Sequence, residues 1–187
     1  MLDDLHKGAN YLDRAAHAFR GADAIFLKKI VNDSIRDASL ASDKRLAEIA
    51  VIAYALMKIS SKEHIANSSN WGHARKKILE HLEDAKFSLL KGDEKKFESD
   101  LNRIRESVSS VDYELGHYIT DSINKARLKM ASSAYAFGLS LGSAADLTGA
   151  DSKELMQYIG ATKIHDEEEI ELNITQRIRK FTSLLRS

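Results

Sequence analysis

The sequence predicts an all-α fold, and three observations carry that prediction. The chain of 187 residues contains no proline, where an average chain of this length would carry roughly nine. Helices can therefore run without the break that a proline ring and its missing N–H impose. Apolar residues recur in steps of three and four along most of the chain, the spacing that places them on one helical face. No segment alternates β-branched and polar residues as a half-buried strand does, and no repeat period emerges. With 43% apolar residues the chain can fill a core of its own.

The first helix follows from Leu2, Leu5, Ala9, Leu12, Ala16 and Phe19, and Gly21 ends it. A second helix is expected over Ala22 to Asp37, with Ile25, Phe26, Ile30 and Ile35 as its apolar content, followed by the polar link "ASLASD". The third, Asp43 to Ile59, contains the solid run "EIAVIAYALMK" and is expected at the centre of the bundle, buried on most sides. "SSKEHIANSSNWGH", dense in Ser and Asn, reads as a linker, with Trp71 as the lid of a small cluster beside it. From Ala74 the stripe resumes as Ile78, Leu82, Ala85 and Leu89, stops at "KGD", and continues as Phe97, Leu101, Ile104, Val108, Val111, Leu115 and Tyr118. Gly92 suits the left-handed close of one helix and Asp93 the cap of the next, so the two arms form an antiparallel hairpin. The second arm is expected to run on through Ile119, Ile123, Ala126 and Met130 to Gly138, bent near Gly116. "DEEEIELNITQRIRKFTSLLRS" reads as a last helix, acidic at its start and basic at its end, whose stripe of Ile170, Ile174, Ile178, Phe181 and Leu185 needs a partner in the bundle or in a second subunit.

Composition narrows the chemistry. Without cysteine there is no disulfide, no thiolate metal site and no cysteine nucleophile. Acidic and basic residues balance at 28 each, so no overall basic field draws the chain to nucleic acid or to an anionic membrane, and such binding has to come from a local patch. The start "MLDDLHKGANYLDRA" is unlike a signal peptide, and the apolar run Ile49 to Met57 is too short to span a bilayer, so a cytoplasmic protein without a membrane partner is expected. The histidines show no HExxH-type pairing, and neither a metal nor another cofactor is expected. There is no phosphate-binding glycine loop or nucleophile elbow.

Residues 140–160, "SLGSAADLTGADSKELMQYIG", are the most informative stretch. Ser140 can cap a short helix to Thr148, Gly149 suits a turn that needs positive φ, and Asp151 with Glu154 can cap a second helix that ends at Gly160. So short a turn makes the axes cross steeply. Ala144 and Ala145 leave room for the crossing, and Leu141, Leu147, Leu155 and Ile159 or Tyr158 close a small core. This is the spacing of a helix-turn-helix, which completes the predicted class: a helical bundle with a long αα-hairpin and a C-terminal helix-turn-helix. Residues 1–130 form the bundle, including the hairpin 74–130; residues 131–165 form the helix-turn-helix; residues 166–187 form a packing or dimerisation helix.

"LGSAADLTGADSKELMQYIG" resembles the helix-turn-helix of bacterial and archaeal regulators and small antitoxins that read "LGxAAxLxGxSxxEhhxhh", h being apolar. The wider block "ASSAYAFGLSLGSAADLTGADSKELMQYIGATKIHDEEE" resembles the C-terminal part of an archaeal family of all-helical predicted transcriptional regulators. Ala150 and Asp151 depart from the motif, which more often has a branched apolar residue and then Ser or Thr. The resemblance implies a regulator that binds double-stranded DNA, with the second helix in the major groove. The early exposed positions of that helix are Ser152, Lys153, Met156 and Gln157. Gln157 suits adenine, Lys153 guanine or a phosphate, and Met156 a thymine methyl. Lys125, Arg127, Lys129 and Lys163 are the expected phosphate contacts, because residues 140–160 themselves hold Lys153 against Asp146, Asp151 and Glu154. A homodimer would double those contacts.

Two other readings stay open. A protein-interaction module, antitoxin-like or a scaffold, would use the same acidic helix and the last helix to hold a protein partner, and it accommodates the neutral charge better. More remotely, Arg75 lies six residues before His81 in "RKKILEH", a spacing that resembles helical ribonucleases of the HEPN class, with His81 as acid or base and Arg75 on the phosphate. A solvated helix face gives the same spacing, and a non-enzymatic role is the expectation.

Overall fold

The computed structural model describes residues 2–61, 71–113 and 120–161, side chains excepted at 2–4, 111–113 and 120–122. Among these residues there are eight helices and no strand: α1 (Leu2–Arg20), α2 (Ala24–Ala41), α3 (Lys44–Ser60), α4 (Trp71–Leu90), α5 (Glu94–Tyr113), α6 (Thr120–Ala136), α7 (Leu141–Thr148) and α8 (152–161). The fold is all-α. Most of the linker, the segment around Gly116, Lys163 and the expected helix 166–187 lie outside the described residues.

α3 is the axis of the structure because it is apolar all round. Leu46, Ala47, Ile49 to Ala53, Ala55, Leu56 and Ile59 are all buried, four consecutive turns with no solvent face wider than Glu48, Tyr54 and Lys58 allow. α1, α2, α5, α6 and α7 pack around it. α2 runs four residues past its expected end. Ser39 stays in the helix by donating its hydroxyl to the Ile35 carbonyl, and Ser42 then stops it by taking φ 52°. Asp43 follows as the cap of α3, accepting from the Arg45 backbone N–H at 2.8 Å.

The hairpin closes where expected: Gly92 sits at φ 69°, and the Asp93 carboxylate accepts from the Lys96 N–H at 3.0 Å. Its arms are locked by Asp100, which is buried and accepts from the Ser88 hydroxyl at 2.6 Å and from Lys96 at 3.2 Å. Trp71 lies edge-on to Phe19, ring centroids 5.8 Å apart, so α4 begins as a lid on the end of α1. The hairpin arms are α4 and α5. α6 parts from them and packs on α2, α3 and α7, running through the expected boundary at residue 130: Ala126, Met130, Ala131 and Ala134 form one buried stripe on a single helix.

Asp37, which ties α2 to α1, and Asp43, which caps α3, set an acid limit. Asp37 accepts from the Tyr11 hydroxyl at 2.7 Å and from Lys7 at 2.8 Å. Burial raises its affinity for protons, and the hydrogen bonds from Lys7 and Tyr11 outweigh that and hold its pKa below the ordinary value. The same balance, burial against hydrogen bonds from the Arg45 side chain and backbone, lowers Asp43. A lowered folded pKa stabilises above the unfolded pKa of about 4 and the contribution disappears as pH falls through the folded value. The urea midpoint is therefore expected to fall steeply below about pH 4, and an Asp37→Asn, Asp43→Asn double variant to show a flatter acid limb; equal slopes would contradict the assignment.

Candidate nucleic-acid interface

The C-terminal helical pair is built from three local devices that the sequence announces. Ser140 is extended, at φ −64° and ψ 156°, and its hydroxyl oxygen accepts from the Ser143 N–H at 3.1 Å, which starts α7. Gly149 ends it at φ 67°, with its N–H returned to the Ala145 carbonyl. Asp151 then accepts from both the Lys153 and Glu154 N–H groups at 2.9 Å and starts α8. Only residues 149–151 separate the two helices.

The pair is fixed to the bundle by small residues backed by leucines. Ala144, Ala145 and Leu147 of α7 are buried, α7 packing on α6 and α3, and Leu155 of α8 has no exposed surface; Leu141, Ala150 and Ile159 are partly buried against the same core. Leu155 is thus the anchor that orients α8. On the other side Ser152, Lys153, Met156 and Gln157 all face solvent, and Met156 is 61% exposed.

The charges around that face are not what the local count suggests. Asp146 is paired with Lys44 of α3 at 2.9 Å, and Asp151 is engaged as a cap, which leaves Glu154 as the exposed carboxylate of α8. Lys125 and Lys129 are exposed on α6. Lys58 of α3, which sequence reasoning passed over, lies over the Tyr54 ring with its nitrogen 5.4 Å from the centroid. Tyr158 of α8 and Lys129 lie close enough to act on the same Tyr54 phenol: burial and Tyr158 raise its pKa, and Lys129 opposes them. Lys58, Lys129, Tyr54 and Tyr158 therefore form one basic and aromatic patch beside α8. The four-residue step from Tyr54 to Lys58 was a legible signal; the arrival of α8 beside it was not.

Arg127 sits differently from the other cations. Its side chain is only 28% exposed, Nη1 donates to the Gly149 carbonyl at 3.4 Å, and Nη2 lies 3.8 Å from Glu48. The guanidinium lies 3.5 Å from where a Cβ on residue 149 would stand. It buttresses the turn, which takes it away from the phosphate role expected for it. Lys163 lies outside the described residues.

The Arg75 and His81 pair is not brought together. Arg75 donates to the Arg20 carbonyl and lines a shallow depression with Leu79 and Glu83, whereas His81 is not in that lining and faces Asp84 at 3.9 Å. Six residues turn a helix by roughly 600°, leaving the two side chains about 120° apart. Among the described residues no group of three or more His, Asp or Glu is placed to hold a metal ion, and no helix is long and apolar enough to cross a membrane.

No protein-family model matches the chain, and comparison with curated proteins and with solved structures gives no match.

Proposed function

We propose that the protein is a cytoplasmic, DNA-binding transcriptional regulator in which α7, the Gly149 turn and α8 act as a helix-turn-helix. The observation that carries the reading is the two-sided character of α8: Leu155 is fully buried while Ser152, Lys153, Met156 and Gln157 stand in solvent just after a capped, left-handed turn. A recognition helix needs this arrangement, one side held rigidly and its first turns free to reach base edges. Gln157 offers a bidentate pair to adenine, Lys153 reaches guanine or phosphate, and Met156 meets thymine methyls. Lys129 and Lys58 meet at Tyr54 beside Tyr158 of α8, and Lys125 is exposed one turn before Lys129 on α6. The likeness of this stretch to archaeal regulators belongs to the same proposal.

Two copies are required for useful affinity, since each copy offers few cations, and a homodimer would read half-sites one helical turn apart. The salt response tests this. A dimer with about six phosphate contacts is expected to lose roughly a thousandfold in affinity between about 50 and 200 mM salt. The 61% exposure of Met156, a large apolar side chain on α8, favours a second reading in which this helix holds a protein partner. Duplex affinity that is absent at low salt would decide for that second reading.

A further inference from the structure

The corner between α2 and α3, one face of α5 and Arg127 of α6 enclose a groove of about 770 Å³, a size typical of small-molecule sites. Its floor is apolar, with Phe97 and Leu101 almost fully buried. Two guanidiniums meet there on a single carboxylate: Arg105 donates to one oxygen of Glu48, and Arg127 lies 3.8 Å from the other. Both residues also keep a buried Nε–H with no acceptor. Their neighbours do not make up the deficit. Asp43 is bound bidentately by Arg45, Arg45 reaches 4.0 Å from Glu94, and Lys44 is held by Asp146. The groove thus has a surplus of positive charge at its Arg105 end. Glu98, exposed and two helical turns before Arg105 on α5, adds a carboxylate to the same groove, and Glu94 lies one turn before it.

We propose that this groove binds a small amino or hydroxy acid, its carboxylate held by Arg105 and Arg127 and its ammonium or hydroxyl facing Glu98. The surplus guanidinium supplies the attraction, because a second carboxylate completes the pairing that Glu48 shares out between two arginines. The two Nε–H groups lack an acceptor, and what a turn to the ligand gives up are the Nη contacts, those of Arg105 with Asn102 and Glu48 and that of Arg127 with Gly149. Arg127 is also the buttress of the Gly149 carbonyl, so a ligand that draws it away loosens the turn before α8. This coupling rests on the regulator reading above; the binding site does not.

Calorimetric titration of the full chain with each proteinogenic amino acid, malate and acetate tests the site. Saturable binding is expected for at least one amino or hydroxy acid, with acetate much weaker. Arg105→Gln is expected to weaken it by about tenfold or more, and Glu48→Gln to tighten it several-fold by removing the competing carboxylate. A gain in affinity cannot come from unfolding, so Glu48→Gln separates the proposal from simple destabilisation. No saturable binding across the panel, or an affinity that Glu48→Gln leaves unchanged or lowers, overturns the site. If ligand binds and duplex binding ignores it, the coupling fails and the site stands; if ligand binds and no duplex does, the regulator reading fails alone.

Discussion

Leu155→Ala is expected to release α8 from the bundle while leaving the rest of the protein folded. Leu155 is the one side chain of α8 with no exposed surface, and Tyr158 and Ile159 of the same helix are only partly buried. Truncating a fully buried leucine costs about 2 to 5 kcal/mol. Leu155 belongs to the same core as Ile49, Ile52, Leu56, Ile78 and Leu82, but α3 and α4 also pack on α1, α2 and α5, contacts that this substitution leaves in place. Hydrogen exchange is the appropriate measurement. Amides of residues 152–161 should lose protection by two orders of magnitude or more, and those of α3 by far less. Uniform loss across the chain would mean that α8 is part of a single cooperative unit with α3, and the picture of a separately anchored helix would be wrong.

The second large effect concerns recognition. In the Lys153→Ala, Gln157→Ala double variant, duplex binding should persist and sequence preference should largely vanish. Both side chains are exposed, on the side of α8 away from Leu155, so stability should change little. On the proposed reading each lost base contact removes roughly 1 to 3 kcal/mol of discrimination, whereas the cations Lys58, Lys125 and Lys129 are left in place. Competition between a selected site and random duplex reads the difference directly. Retention of full selectivity would assign base reading elsewhere.

The parts of the structure that were legible in the sequence are those governed by neighbours along the chain. Ser140, Gly149 and Asp151 each act within three or four residues, and all three do what their side chains or lack of one dictate. Gly92 and Asp93 close the hairpin by the same local chemistry. Where a polar run misled, as at the end of α2, a serine hydroxyl bonded back to its own helix and kept it going. The separation of α6 from the hairpin was not legible because its alanine stripe continues the heptad-like spacing of α5, and only the packing on α2 and α3 distinguishes them. The charges behaved likewise. Lys44 meets Asp146 across 102 positions, and Arg127 turns towards Glu48 and Gly149 instead of outward. No count over a local window contains either fact. Arg75 and His81 show the opposite case: a helical spacing alone does not say which side chain a neighbouring helix will capture.

The most direct test of the central claim, that the exposed side of α8 reads DNA, is selection from a random pool of duplexes by the wild-type chain at low salt. The account predicts enrichment of a short motif, repeated as two half-sites one helical turn apart, that binds with strongly salt-dependent affinity. A pool that remains random after repeated rounds, or that is not retained at all, would contradict it.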